Sequence, residues 1–122
     1  MSKESLKFLK SHEWVDYVGK NIIIGLSDYA VDELGEATFI NLPEIGDEIV
    51  AGGAFGEVEG TVMTYDVYSP ASGIVSNVNQ NLLSHPEKLN DDPYSTWLVE
   101  IEEITECEEM MTYEEYKEMI EK

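Results

Sequence analysis

The chain has 122 residues, 43% of them hydrophobic, and sets 26 acidic residues against seven lysines and no arginine, for a net charge of −19. That length suits one domain spanning 1–122 around a single core without disulfide staples. A surface of this charge repels phosphate, which argues against nucleic acid and anionic membranes and favours proteins with basic docking surfaces.

In chain order, Glu13-Trp14-Val15-Asp16-Tyr17 alternates with period two and Asn21-Ile22-Ile23-Ile24-Gly25 answers it across Gly19, so a hairpin is expected. Ser27 is placed to cap a two-turn helix whose apolar stripe is Ala30, Val31 and Leu34 and whose stop is Gly35. Short strands follow at Ala37–Leu42, Glu48–Ala51, Ala54–Glu59, Tyr65–Tyr68 and Ile74–Val78, separated by turns at 43–47, 52–53 and 69–73. A polar loop at 79–95 holds a helical turn at Leu82–Ser84, and Thr96–Ile101 makes the last strand. Thr112 and Glu115 have the spacing of a capping box, opening a helix over about 112–121 with Tyr113, Tyr116, Met119 and Ile120 on one stripe. Many short strands between Gly/Pro turns predict a mainly β sandwich or barrel with one short helix in the N-terminal half and one at the C-terminus.

Residues 100–122 hold ten glutamates against Lys117 and Lys122, which reads as a solvated helix with its linker or as an acidic docking surface. Cys107 is the only cysteine, lies between Glu106 and Glu108, and is a poor thiolate in that company. The N-terminus carries no apolar leader and no stretch reaches membrane-spanning length, so the default compartment is the cytoplasm.

Candidate chemistry is sparse. His12 and His85 are far apart with no cysteine at metal spacing, and His12 reads as a structural histidine beside a strand start. Asp91 and Asp92 suit a turn cap before Pro93 better than a metal site. Glu57 and Glu59 share one strand face, more in keeping with a solvated acidic surface than with acid–base catalysis. No catalytic constellation and no metal site is predicted.

The stretch Pro43-Glu44-Ile45-Gly46-Asp47-Glu48-Ile49-Val50-Ala51-Gly52 and the return Asp66-Val67-Tyr68-Ser69-Pro70-Ala71-Ser72-Gly73-Ile74-Val75 resemble the biotinyl/lipoyl carrier fold, and the second closely resembles glycine cleavage H proteins. Ser11-His12-Glu13-Trp14-Val15, Gly25-Leu26-Ser27-Asp28-Tyr29-Ala30, Glu33-Leu34-Gly35, Asn90-Asp91-Asp92-Pro93-Tyr94, Trp97-Leu98 and Tyr113–Ile120 extend the match in family order. The resemblance implies a flattened barrel-sandwich of antiparallel strands with an exposed hairpin tip near 60–64. In the family that tip bears a lipoyl-lysine, which shuttles an aminomethyl group between enzymes.

Here the family pattern is interrupted. The Val-Glu pair is Val58-Glu59, the downstream aspartate is Asp66, and the lysine position between them is Val62, with no gap needed. No lysine lies between Lys20 and Lys88, so the attachment point has not moved along the hairpin. Gly60, Thr61, Met63, Thr64 and Tyr65 also depart from the family's Ser-Val-Lys-Ala-Ala-Ser run, which points to natural divergence rather than one introduced change. Lipoate attaches through an amide to a lysine amine, and valine supplies neither nucleophile nor reach. The expectation is therefore no cofactor, with Val62 flanked by Glu59 and Asp66 at the vacant position.

As a β-branched residue, Val62 is ill suited to a turn that needs positive φ, so Gly60 and Thr61 are expected to take the strained positions. Val62 and Met63 then either face outward as an apolar partner contact or fold back over the body. The resulting function is a non-lipoylated binding or regulatory module related to glycine decarboxylation, with glycine cleavage or lipoate-related enzymes as partners. The alternatives are an interaction domain of the same fold in an unrelated pathway, or a small-molecule site in the arm cleft using Trp14, Tyr29 and Tyr65.

Overall fold

The computed structural model describes residues 3–121. A 3₁₀ turn at Lys3–Ser5 leads to strands β1 (Lys7–Phe8), β2 (Glu13–Val18) and β3 (Asn21–Leu26), then helix α1 (Asp28–Leu34). Strands β4 (Ala37–Asn41), β5 (Glu48–Ile49), β6 (Ala54–Gly60), β7 (Thr64–Tyr68) and β8 (Ala71–Val78) follow. Short helices α2 (Gln80–Ser84) and α3 (Lys88–Asp91) precede β9 (Trp97–Cys107), β10 (Met111–Thr112) and helix α4 (Tyr113–Ile120).

The strands form two antiparallel sheets, one ordered β10-β1-β2-β3-β9-β8-β5 and a small one ordered β4-β6-β7, giving the mainly β architecture expected. Alternation drives the layering: Val15, Ile22, Ile24, Val75, Val99 and Ile101 turn inward from the large sheet to one cluster. Leu34, Ile40, Val58, Val67, Leu82 and Leu98 fill a second cluster, which joins α1 and α2 to the small sheet. A third lies under α4, where the Phe8 and Tyr116 rings stack with centroids 4.5 Å apart.

Local signals hold where bonds close within a few residues. Ser27 Oγ accepts from Ala30 N–H at 3.2 Å as the cap of α1. At α4, Thr112 Oγ1 accepts from Glu115 N–H at 3.2 Å while Glu115 accepts from Thr112 N–H at 2.9 Å, the reciprocal pair its spacing predicts. Tyr116 is the buried member of the α4 stripe, with Tyr113, Met119 and Ile120 packed beside it.

Two expectations are corrected, and two short strands come without a sequence signal. The last strand does not stop at Ile101 but runs to Cys107, so residues 102–107 of the glutamate-rich segment are strand rather than linker. Its far half pairs with β8, Ala71 opposite Cys107 and Ser72 opposite Glu106, and its exposed positions point to water, where charge costs little. The register slips near Glu103, whose φ of 53° marks a bulge. The turn expected over 69–73 is narrower, since β8 already begins at Ala71. The two-residue strands β1 and β10 had no periodic signature; they exist because Lys7 and Phe8 pair with Thr112 and Met111 across the length of the chain.

Trp14 lies opposite Gly25 on the neighbouring strand, and its indole occupies the space a side chain there would need. A Cβ on Gly25 would come within 2.3 Å of the indole. Gly25→Ala is therefore expected to destabilise the protein by about 1–3 kcal/mol through overpacking, measured by urea denaturation; an unchanged midpoint would contradict this packing.

Candidate functional site

The β6–β7 hairpin closes through Gly60 N–H donating to Met63 C=O at 2.9 Å, leaving Thr61 and Val62 at the apex. The apex is tied to the end of α1. Val62 N–H donates to Leu34 C=O at 3.0 Å and Thr61 N–H donates to Glu36 C=O at 3.0 Å, while Glu36 N–H donates to Thr61 Oγ1 at 3.2 Å. The last carbonyls of a helix have no partner within it, and here the hairpin supplies one.

Two glycines permit the approach. A Cβ on Gly60 would lie 2.2 Å from the Leu34 carbonyl oxygen. Gly35 has φ 80°, and a Cβ there would meet Thr61 Oγ1 at 2.4 Å and Val62 Cγ2 at 2.8 Å. Asn90 completes the junction, accepting from Ala37 N–H at 2.8 Å and donating to Gly35 C=O at 2.8 Å.

The strain expected at Gly60 and Thr61 is absent: neither they nor Val62 and Met63 have positive φ. The amides that a tighter turn would keep inside the hairpin are given instead to Leu34 at the end of α1 and to Glu36 just beyond it. Of the two placements expected for the apolar pair, the structure adopts the outward one, with Val62 72% exposed and Met63 42% exposed. Glu59 and Asp66 flank the apex on the same hairpin, Glu59 opposite Thr64 and Asp66 opposite Glu57. Both are exposed.

Beneath the apex, His12 gathers a polar and aromatic cluster. His12 Nδ1 lies 2.7 Å from the Tyr116 hydroxyl, which lies 2.6 Å from Ser27 Oγ. Every group is satisfied when Ser27 donates to Tyr116, Tyr116 donates to a neutral His12, and Ser27 Oγ accepts from Ala30 N–H. Burial pushes the His12 pKa down, with the Glu33 carboxylate opposing it, so the neutral ring is favoured. Tyr29 packs on His12 at 4.9 Å between centroids, and Tyr65 donates its hydroxyl proton to Glu33. His12 adopts φ 80°, a conformation glycine and asparagine take more readily than histidine. It holds the structural position expected of it.

Glu13 was invisible as a feature beforehand. Its carboxylate is fully buried, accepts from Ser11 Oγ and from Tyr68 N–H at 2.7 Å, and has its pKa raised by burial against those hydrogen bonds. Beside it opens a groove of about 520 Å³ lined by Leu9, Ser11, Gly52, Tyr68, Met110 and Glu115. Trp14, Tyr29 and Tyr65 do not line it, and Trp14 is buried with its indole N–H donated to Pro93 C=O at 3.0 Å. Trp14 thus belongs to the core, while the half-buried Tyr29 and Tyr65 meet at the His12 ring.

The remaining candidates stay apart. Asp92 accepts from Ser95 Oγ at 2.9 Å and from Ser95 N–H at 3.1 Å, the turn-capping role expected, and His85 pairs only with Glu87 at 3.6 Å on the surface. Among the described residues no three His, Cys, Asp or Glu side chains gather to hold a metal, and Cys107 is exposed.

Two outcomes follow from this geometry. Gly60→Ala should unseat the apex from α1, seen as a loss of about tenfold in hydrogen-exchange protection at the Thr61 and Val62 amides; unchanged protection would mean the apex is held otherwise. For His12, the folded pKa lies below the ordinary 6.5, so its contribution is present above that value and lost as pH falls through the folded pKa. Glu13 acts oppositely, its folded pKa lying above 4.5, so folding gains from proton uptake as pH falls towards that value. His12→Asn, which tolerates the same backbone, should remove the decline in unfolding free energy that begins below about pH 6.5, and an unaltered pH profile would show the ring does not carry it.

Residues 6–122 match the model of the glycine cleavage H-protein family. A glycine cleavage system H protein of Lachnoclostridium phytofermentans is 46% identical over 120 residues, covering 98% of this chain and 94% of that protein. One from Geobacillus kaustophilus is 40% identical over 120 residues, covering 96% and 94%. The crystal structure of a glycine cleavage system H protein from Mycobacterium marinum superposes with a TM-score of 0.91 at 31% identity, covering 98% of both chains. The two-sheet architecture and the extent of these matches lead to one conclusion: the chain belongs to the glycine cleavage H-protein family.

Proposed function

We propose that this chain is a member of the family that carries no lipoyl arm and works by binding, as a regulatory or docking module related to glycine decarboxylation. The observation that carries the reading is Val62, an exposed aliphatic side chain at the apex, standing where the family spacing calls for lysine. Lipoate attachment needs an amine nucleophile to form the amide, and the shuttle needs a long flexible stem to cross between enzymes. Valine offers neither. No lysine between Lys20 and Lys88 can substitute for it.

What remains is a carrier-shaped, strongly acidic body. Its natural partners are proteins with basic surfaces, glycine cleavage or lipoate-related enzymes first among them, in a reducing compartment such as the cytoplasm. By occupying the place of an arm-bearing H protein on such an enzyme, it would slow aminomethyl transfer without performing it. The chain itself performs no chemistry in this reading, in keeping with a family of carriers.

Expression with lipoate and a lipoate ligase should return an intact mass equal to that of the unmodified polypeptide. A lipoyl adduct on the peptide spanning residues 21–88 would overturn the reading. Binding to glycine cleavage enzymes of the same cell is expected, and failure to bind any of them would move the chain to an unrelated pathway.

A further inference from the structure

The small sheet turns one face to solvent, and its side chains fall in two rows across the strands. Phe39, Glu59 and Thr64 are cross-strand neighbours, and so are Asn41, Glu57 and Asp66. Phe39 is 51% exposed, an aromatic ring left in water beside the apex that bears Val62 and Met63. The rest of the face is Asn41, Thr64 and the carboxylates of Glu57, Glu59 and Asp66.

That acidity has a cost. Glu57 and Asp66 stand directly opposite each other, an arrangement of like charges that destabilises an antiparallel pair by roughly 0.2–1 kcal/mol. No lysine or arginine occurs from residue 21 to residue 87, so nothing nearby in sequence relieves it. Among the described residues the one ion pair is His85 with Glu87, leaving Glu57, Glu59 and Asp66 unpaired. A self-repelling patch next to exposed apolar groups is poor design for folding alone and good design for a positively charged partner.

We propose that this face and its apex are a docking surface for a folded protein that offers an apolar recess rimmed by lysine or arginine. Val62 enters the recess, Phe39 packs at its edge, and the carboxylates of Glu57, Glu59 and Asp66 meet the basic rim. The apex suits insertion because its backbone is already fixed by the bonds from Val62 to Leu34 at the end of α1 and from Thr61 to Glu36 just beyond it, so little ordering is left to be done on binding. A second copy of this chain is a poor occupant, since two surfaces of net charge −19 repel. Anionic membranes and nucleic acids are disfavoured by the same sign.

The proposal rests on the binding role argued above, with glycine decarboxylase of the same cell as the probe. Calorimetric titration at low and high salt would compare the natural chain with Val62→Asp, the double variant Glu57→Gln/Asp66→Asn, and Tyr17→Ser on the large sheet as control. Val62→Asp is expected to weaken binding about tenfold or more. The double variant is expected to weaken it about fivefold, to flatten its salt dependence, and to raise Tm by about 1–4 °C as the repulsion is relieved. Tyr17→Ser should bind as the natural chain does. If the natural chain binds and either Val62→Asp or the double variant binds equally well, the docking face is wrong and the binding role stands. If the natural chain does not bind the enzyme, its pairing with glycine decarboxylase fails and the proposal falls with it. A dimer in sedimentation that Val62→Asp abolishes would assign the face to a second copy and overturn the proposal as well.

Discussion

Two backbone hydrogen bonds, from Thr61 N–H to Glu36 C=O and from Val62 N–H to Leu34 C=O, decide how the small sheet sits on the rest of the molecule. They solve two problems with one contact. A helix ends with carbonyls that lack intrahelical partners, and a hairpin apex carries amides that its own short turn cannot all use. Joining them lets the apex keep ordinary negative φ angles although a β-branched valine occupies it. The demand is moved to Gly60 and Gly35, whose missing side chains let Leu34 and the apex meet. Asn90 then holds the chain on either side of Glu36, so that α1, β4 and the apex are tied at one junction.

The start of α1 is held as firmly as its end. Ser27 caps the helix and also bonds the Tyr116 hydroxyl, which reaches His12 on the far side. Through this chain of polar groups the C-terminal helix, the turn before β2 and α1 share a single junction. A buried hydroxyl left unbonded would cost about 1–3 kcal/mol, and no buried side-chain polar atom among the described residues lacks a partner. The neutral state of His12 is part of that satisfaction, because a protonated Nδ1 would compete with the Tyr116 proton. The position of the apex is therefore referred, through α1, to both termini of the fold.

How much of this could be read beforehand depends on the range of each interaction. The Ser27 cap, the Thr112/Glu115 box and the β2–β3 hairpin were legible because their partners lie within a few residues. Strands β1 and β10 were not, since two residues carry no period and their pairing spans the chain. The extension of β9 through Glu102–Cys107 was masked because exposed strand positions next to water read the same as a solvated linker. The outward placement of Val62 was one of two legible in the sequence. Its anchoring was not legible, because main-chain amides leave no trace in side-chain pattern. Glu13 hid for a related reason: a glutamate in an alternating strand is expected to face solvent, and only the fold shows Ser11 and the Tyr68 amide receiving it.

The anchoring also explains how an arm position and a contact position can share one scaffold. A swinging arm needs a fixed root and a flexible side chain, whereas a docking knob needs a fixed root and a compact apolar side chain. The bonds that fix the root here use only main-chain atoms at Thr61 and Val62, with one hydroxyl from Thr61, and are indifferent to the side chain at position 62. In the proposed reading, a compact valine in place of an amine-bearing stem changes the chemistry of the apex and leaves these main-chain bonds available. It also removes about 2 kcal/mol of rotamer entropy that a lysine would lose on burial, leaving a side chain with little freedom to lose when a partner closes over it. In the proposed docking role the acidic rows beside the apex supply the charge, because a surface that binds by contact alone must draw its affinity from charge and burial rather than from a cargo.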